Sequence, residues 1–214
     1  MELRVPVGPP SVAALAQRIQ SVMKARESGM PDESYWDGFF NPGCIVNALD
    51  CAESRRGLIE YGCGYGLFTV AAALIAKGPV FAIDIEPEMV RITSEKAREA
   101  GLSNVSVEQR DFVRDGCGRP DADADHVMLF NILHIENPVG LMKQAQRALI
   151  AGGKVSVIHW RKDVETPRGP SLAIRPSPEQ CCEWGEQAGL RFVRYQPLTC
   201  CSYHYGLVLE RPSS

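Results

Sequence analysis

The spacing of apolar positions along the chain changes near residue 57. Before it, apolar residues recur at helical spacing over 11–28, behind a serine and ahead of Gly29. A second short helix is predicted after Pro31-Asp32, ending at Asn41-Pro42, and a third over 43–50. No strand pattern precedes residue 57, so the first fifty residues are predicted to form a helical layer.

After this point, short apolar strands alternate with amphipathic helices. Alternation of this kind predicts an α/β fold: a Rossmann-like, doubly wound, seven-stranded, mostly parallel sheet. The last strand is expected to be antiparallel, because the final connection is too short for a crossover. One domain, 1–214, is predicted, with an N-terminal helical cap over 1–52 and the core over 53–214. The strands are predicted at 57–62, 79–86, 105–111, 126–133, 154–160, 191–198 and 203–210, and the helices at 67–78, 87–102, 137–153 and 177–190.

Composition excludes several classes of protein. The chain is 45% hydrophobic and 23% charged with a formal net charge of −3, so it has no basic excess of the kind that nucleic-acid binding requires. No apolar run approaches the roughly 20 residues that span a bilayer. The N-terminus lacks the pattern of a secretory signal. We therefore expect a cytoplasmic protein with no nucleic-acid or membrane partner.

Eight cysteines are unusual for such a chain: Cys44, Cys51, Cys63, Cys117, Cys181, Cys182, Cys200 and Cys201. No C-x-x-C occurs and no spacing matches a zinc site, so no metal is expected. Reduced thiols are the expectation in a reducing compartment. The two adjacent pairs leave open a soft-metal, metalloid or redox role.

The stretch IEYGCGYG (59–66) follows the first predicted strand and enters a helix. A dinucleotide fingerprint would need glycine at Leu67 or Thr69, and no P-loop pattern is present. Glu60 just before the loop is a poor neighbour for a pyrophosphate and a good one for a cationic ammonium group. The pattern indicates a ligand with a positive end and no phosphate.

Two further strand ends extend this interpretation. Asp84 ends the second strand, where an acidic residue accepts the hydroxyls of a ribose. Asp111 and Phe112 follow the third strand and suit the exocyclic amine and the face of an adenine. Ribose, adenine and an ammonium-bearing arm together describe S-adenosylmethionine.

On these residues the chain resembles the class I S-adenosylmethionine-dependent methyltransferases, of the small-molecule type, over roughly 57–160. The matching motifs are Glu60-x-Gly62-x-Gly64-x-Gly66, FAIDIEPEMV (81–90), RDF (110–112), MLFNILHIENP (128–138) and ALIAGGKVSVIHW (148–160). The resemblance implies methyl transfer with S-adenosylhomocysteine as product. It also implies a set of cofactor-binding residues: Glu60, Gly62, Cys63, Gly64, Tyr65, Gly66, Asp84, Ile85, Met89, Asp111, Phe112 and Asn131.

The acceptor is expected at the carboxyl ends of the parallel strands. His134 is the first candidate for a general base and His204 the second, whereas His159 faces the site only if the pleat allows it. The loop 162–176, with Arg168 and Arg175, is expected to cover this side and to meet an anionic acceptor. Candidate substrate-lining residues are Tyr35, Trp36, Trp160, Arg161, Tyr203 and Tyr205, the first two on a lid.

Three alternatives stay open at this stage. One is an arsenite or metalloid methyltransferase using Cys200 and Cys201, and another is a protein that binds S-adenosylmethionine without catalysis. An NAD-dependent oxidoreductase is disfavoured by Glu60 and the missing third glycine. We expect a small-molecule partner and a monomer or homodimer, while the sequence leaves the acceptor unidentified.

Overall fold

The computed structural model describes residues 31–213, so the helix predicted over 11–28 lies outside the described residues. The described part is a seven-stranded sheet with helices on both faces. The strands are β1 Leu58–Tyr61, β2 Val80–Asp84, β3 Val105–Gln109, β4 Ala124–Phe130, β5 Leu149–Trp160, β6 Arg191–Gln196 and β7 His204–Glu210. The α-helices are α1 Glu33–Asp37, α2 Pro42–Ala48, α3 Leu67–Ala73, α4 Pro87–Glu99, α5 Phe112–Asp115, α6 Pro138–Ala148 and α7 Pro178–Gln187, with a 3-10 turn at Cys51–Glu53.

The strand order is β3-β2-β1-β4-β5-β7-β6. Strands β1 to β5 pair in parallel, and β7 is antiparallel to both β5 and β6. The predicted doubly wound sheet with a reversed last strand is confirmed. The order reverses between β1 and β4, and ligands of such sheets bind at this switch point, beyond the carboxyl ends of the strands.

The core has two halves, one on each face of the sheet. On one face, α6 and α7 cover side chains that include Val155 and Val157; on the other, α2 and α3 cover Ile158. Successive side chains of a strand point to opposite faces. Consequently His159 lies on the α6–α7 face and Trp160 on the α2–α3 face, at the end of the same strand.

The largest differences from the predicted element boundaries are at the ends of two helices. Helix α3 ends at Ala73 rather than near Gly78, and Gly78 instead packs so closely on the backbone carbonyl of Arg55 that a Cβ would not fit. Helix α6 ends at Ala148, because Leu149 already pairs with Ala124 in the sheet. The segment expected to be a helix end and a Gly-Gly turn is therefore the start of a 12-residue strand.

Polar residues just before the helices cap their N-termini. Ser177 accepts a hydrogen bond from the backbone N–H of Gln180, and the Gln180 side chain accepts one from the Ser177 N–H, which forms a capping box at α7. Asp111 caps α5, a four-residue helix that was not predicted. These contacts satisfy backbone donors that a helix leaves without internal partners.

A disulfide joins Cys44 on α2 to Cys200 in the β6–β7 turn, across 156 residues of sequence. The expectation of reduced thiols is wrong for these two residues, while the other six cysteines are free. The bond attaches the N-terminal helices to the hairpin beside the carboxyl ends of the strands. Separately, none of the helices in the 31–213 range is long and apolar enough to cross a membrane.

Candidate functional site

The glycine loop leaves β1 in a backbone conformation that favours glycine. Gly62, Gly64 and Gly66 have φ of +72°, +51° and +76°. A Cβ on Gly62 would lie 2.8 Å from Cδ1 of Ile132, and one on Gly66 would lie 2.8 Å from the hydroxyl of Thr93. The alternating glycines therefore allow the chain to turn and the loop to pack closely on Ile132 and Thr93, and they leave the backbone accessible to a ligand.

Asp84 joins this loop to the end of β2. Its carboxylate is 4% exposed and accepts hydrogen bonds from the N–H groups of Gly64, at 2.8 Å, and Glu86, at 3.0 Å. Burial raises the pKa of Asp84, and the two backbone donors oppose that shift. One donor occupies each carboxylate oxygen, and the second lone pair of each remains able to accept a ribose hydroxyl.

Glu60 is a buried carboxyl directly below the loop. It is 1% exposed, and the hydroxyl of Thr69 donates a hydrogen bond to it. Burial raises its pKa to about 8, only partly offset by the Thr69 hydrogen bond. Within residues 31–213, no cationic side chain forms an ion pair with Glu60. A cationic ligand group would satisfy this carboxyl.

Asn131 follows β4 with φ of +55°, and its backbone N–H donates to the carbonyl of Ile158. Both polar atoms of its side-chain amide are buried and lack a hydrogen-bond partner among residues 31–213. Such groups are costly to leave unpaired. Together with Glu60 and the bare loop, Asn131 fits the polar amino-acid arm of S-adenosylmethionine.

The adenine end of the predicted site coincides with a shallow pocket of about 440 Å³. Asp111 contributes to this pocket and also caps α5. The ring of Phe112, by contrast, is 8% exposed and packs edge-on against Tyr61, with centroids 5.4 Å apart. Four residues not assigned from the sequence join Ile85 and Asp111 in the lining: Gln109, Arg110, Arg114 and Asp115. Of these, only Arg110 lies within a quoted motif, RDF (110–112).

Three other predicted cofactor residues take structural positions around the loop. The Cys63 thiol is buried and receives a weak hydrogen bond from Thr93. The Tyr65 hydroxyl donates to the carbonyl of Pro31 at 2.8 Å, which links the loop to the chain ahead of α1. Met89 is buried on α4.

His134 and His159 meet at the carboxyl end of the sheet. Nδ1 of His134 lies 3.3 Å from Nε2 of His159, with the rings nearly perpendicular. His159 is fully buried. Burial lowers the pKa of both imidazoles, and for His159 the positive charges that His134, His204 and Arg175 carry when protonated lower it further.

His204, the second candidate base, lies on the α2–α3 face. Its ring packs against Trp160 at 4.1 Å and Phe40 at 4.7 Å, and its Nδ1 lies 3.1 Å from the Cys201 thiol. Burial, with a contribution from Arg175, lowers the pKa of His204 to about 3, and its Nε2 has no hydrogen-bond partner in the part of the chain that the structure describes. The two predicted bases therefore do not form one group.

An aromatic cover closes the α2–α3 side of the strand ends. This aromatic cover consists of Trp160 and four side chains whose ring centroids lie 5.4 to 6.4 Å from its own: Trp36, Phe39, Phe40 and Tyr203. The predicted lid helix thus does reach the end of β5. The Cys201 thiol donates to the carbonyl of Phe39 beside it.

The remaining predicted substrate residues are more scattered. Tyr35 is 49% exposed at the outer side of α1. Tyr205 is buried on the opposite face, with its hydroxyl donating to the carbonyl of Pro176 at 3.1 Å. Arg161 forms an ion pair with Asp163 near the surface.

Arg175 points inward and organises the loop 162–176. It is 5% exposed, and its guanidinium donates to the carbonyls of Arg161 and Pro170 and to the hydroxyl of Thr166, at 2.6 to 3.2 Å. The segment predicted to cover the substrate is therefore held around one buried cation.

Comparison with known proteins places this geometry in context. A family model described as "Methyltransferase domain" matches residues 53–196. A solved structure, titled as a SAM dependent methyltransferase from Aquifex aeolicus, superposes with a TM-score of 0.71 at 22% identity. The match covers 88% of this chain and 97% of that one, and it shows that the fold is shared.

Two curated relatives act on different kinds of acceptor according to their names. The ribosomal protein L11 methyltransferase of Methylococcus capsulatus is 35% identical over 109 residues, 50% of this chain and 34% of that protein. Aklanonic acid methyltransferase DauC of Streptomyces sp. (strain C5) is 30% identical over 113 residues, 50% of each chain. This chain thus aligns with a third to a half of the length of these relatives.

Proposed function

On the premise that the chain belongs to the family of class I S-adenosylmethionine-dependent methyltransferase domains, we propose that it transfers a methyl group to a small-molecule acceptor. The observation that carries the proposal is the buried carboxyl of Glu60 beneath a glycine loop, which has no ion-pair partner within residues 31–213, together with the amide of Asn131, which has no hydrogen-bond partner in the same range. A cationic amino-acid arm satisfies both groups, whereas a pyrophosphate would find no positive charge partner in Glu60.

The cofactor, when bound, supplies a methyl group already activated by its sulfonium. Asp84, fixed by two backbone N–H groups, would hold the ribose hydroxyls, while Glu60 and Asn131 would hold the amino-acid arm. His134 would accept the acceptor's proton, because burial lowers the pKa of its imidazole and so favours the neutral form. The chain's main contribution is alignment and exclusion of water.

A small acceptor is supported by the closed form of the acceptor side. The aromatic cover and the loop organised by Arg175 enclose the ends of β5 and β7. Apolar rings with a few polar groups between them are typical of small-molecule sites. The relative named for ribosomal protein L11 aligns over only a third of its own length, so its acceptor is not transferred to this chain.

The two alternatives fare differently. A metalloid site built on Cys200 and Cys201 would first require reduction of the bond from Cys200 to Cys44, and Cys201 is buried against His204. Cofactor binding without catalysis shares all the features of the cofactor site. It is separated from the proposal only by an assay of methyl transfer.

Calorimetric titration with S-adenosylmethionine, S-adenosylhomocysteine and NAD tests the cofactor. We expect both adenosyl ligands to bind and NAD not to. Asp84→Asn should weaken binding at least about tenfold, the weight of a hydrogen bond to a charged group. Asp121→Asn, which alters only an exposed ion pair with Arg147, is the matched control and should leave binding unchanged. Binding of NAD alone would overturn the assignment.

Radiolabelled methyl donor offered with a panel of phenols, carboxylic acids and thiols, and separately with purified ribosomal protein L11, tests the acceptor. Transfer to a small molecule supports the proposal. Transfer only to L11 would overturn the acceptor class. If the cofactor binds but neither set is methylated, the non-catalytic alternative replaces the proposal.

A further inference from the structure

We propose that the bond between Cys44 and Cys200 is a thiol–disulfide switch: oxidised, it holds the aromatic cover closed, and reduced by a dithiol, it lets the cover open. The opening of the cover does not depend on the proposed function, whereas its effect on methyl transfer rests on that function.

The bond joins the two segments whose rings meet over the end of β5. Phe39 precedes Cys44 on one segment, and Tyr203 follows Cys200 on the other. The rings of Phe39 and Tyr203 lie 6.3 Å apart, and both also pack against the ring of Trp160. A covalent link at this place therefore fixes the distance between the two sides of the aromatic cover.

The residue next to the bond ties the same segments together by hydrogen bonding. The Cys201 thiol donates to the carbonyl of Phe39 at 3.2 Å, and its sulfur lies 3.1 Å from Nδ1 of His204. Burial raises the pKa of this thiol to about 11, and only a thiolate attacks a disulfide, so Cys201 does not exchange with its neighbour. The redox chemistry is thereby confined to Cys44 and Cys200.

The bond lies where a small dithiol can reach it. Cys44 and Cys200 are half-buried, whereas five of the six free cysteines are buried. In the reduction, a thiolate of the dithiol attacks one sulfur, the sulfur–sulfur bond breaks, and a mixed disulfide forms. The second thiol of the reagent resolves it, so Cys44 and Cys200 gain two electrons and two protons while the dithiol is oxidised to a disulfide.

The sheet and helix α2 are held in place without the bond. Helix α2 buries Ile45 and Val46 completely, and β7 pairs with a strand on each side. Helix α1, by contrast, has no buried residue, and its ion pair from Glu33 to Lys96 is partly exposed. Segments that bury little apolar surface open at a small cost in free energy. Reduction should therefore loosen α1 and the β6–β7 turn while the sheet stays folded.

An open aromatic cover admits water to the ends of β5 and β7. Closure of a cover over an active site excludes water and completes the arrangement of the reacting groups. Under the proposed function, the oxidised form is therefore the more active methyltransferase, and a reducing environment lowers the rate of methyl transfer.

Amide hydrogen exchange of the oxidised and the dithiothreitol-reduced protein tests the switch. We expect exchange over 33–40 and 198–203 to be at least about tenfold faster after reduction, with β1 to β4 unchanged and the far-UV circular dichroism retained. Cys44→Ser should show the fast exchange without reductant and no further response to it. Cys182→Ser, which replaces a half-buried free cysteine on α7, is the matched control and should exchange slowly until dithiothreitol is added.

Three results would overturn the proposal. The first is equal exchange over 33–40 and 198–203 in the two redox forms of the unaltered chain, a comparison that does not require Cys44→Ser to fold. The second is loss of the circular dichroism on reduction, because the bond would then be a requirement of the fold. The third is a count of eight free thiols before reduction, where six are expected.

Titration of both redox forms with S-adenosylhomocysteine examines the cofactor site separately. The residues assigned to the cofactor do not include Cys44 or Cys200, so we expect both forms to bind. Absence of binding in both forms would overturn the proposed function and leave the exchange result standing.

Discussion

Binding of S-adenosylmethionine is expected to release a proton from Glu60. The carboxyl is fully buried, and its pKa is raised to about 8, so at pH 7 most of the ligand-free protein holds it in the neutral form. An ammonium group placed beside it favours the charged carboxylate. The cofactor's amino group therefore binds to a state that the free protein populates poorly at neutral pH.

The pKa sets the size of the effect. At one pH unit below the pKa only about a tenth of the molecules are ionised, so the ionisation of Glu60 alone should make affinity at pH 7 about tenfold weaker than at pH 9, or about 1.4 kcal/mol. About 0.9 proton should be released per ligand at pH 7, falling towards zero at pH 9. Ionisation of Glu60 makes affinity rise with pH, and this rise ends where the ammonium group of the free ligand loses its own proton.

Calorimetry in buffers of different ionisation enthalpy measures the released protons. Glu60→Gln keeps a partner for Thr69 but cannot ionise, so it should lose both the proton release and the rise in affinity. 5′-Methylthioadenosine, which lacks the amino-acid arm, is the matched ligand; any proton that it releases comes from the ribose side, where the pKa of Asp84 is also raised. The reasoning would be refuted if the affinity for S-adenosylmethionine did not change between pH 6.5 and 9 and no proton were released.

The same group predicts the pH dependence of stability. Since folding raises the pKa of Glu60 from 4.5 to about 8, the folded state holds a proton that the unfolded state has lost between these values. The contribution of Glu60 to the free energy of unfolding should therefore fall as pH rises through this window, by up to about 1.4 kcal/mol per unit. Chemical denaturation of Glu60→Gln should lack this component.

Three further changes test the fold. Gly66→Ala places an alanine at a positive φ and brings its Cβ against Thr93, so it should destabilise the fold by at least about 1–2 kcal/mol. The control is Gly43→Ala, in α2 with open space around it, which should stabilise the fold by up to about 1 kcal/mol; urea denaturation measures both. Ser177→Ala removes the α7 cap and should cost about 1 kcal/mol in the same assay, with no effect on cofactor affinity. Cys44→Ser opens a loop of 156 residues and should cost up to about 5 kcal/mol by chain entropy, and dithiothreitol should lower the melting temperature of the unaltered protein but not of this variant.

Local features of the chain predicted most of the sheet and the cofactor loop. Glycine spacing, apolar runs and strand-end acids such as Asp84 act through neighbouring residues, so they can be read from the order of the residues. The Gly152-Gly153 pair was misleading, because a turn pattern inside a long strand looks the same as a helix end until pairing with β4 and β7 is known.

Other features depend on contacts that no local pattern contains. The bond from Cys44 to Cys200 joins distant segments, and nothing in their spacing distinguishes them from the six free cysteines. Whether His159 or Trp160 faces His134 depends on the register of β5, because a shift by one residue exchanges the faces. Sequence reasoning for that reason named Trp160 for the site and left the orientation of His159 open.

The disulfide also has a mechanical consequence. Every residue assigned to the cofactor lies between Cys44 and Cys200, inside a covalent ring. A force applied to residues 31 and 213 would pass through the sulfur–sulfur bond and could extend only the segments outside the ring. About 500 Å of chain, at roughly 3.3–3.6 Å per residue, could not be extended by the force until a reductant opened the bond. The tensile load path of this protein therefore bypasses the segment that carries the candidate cofactor site.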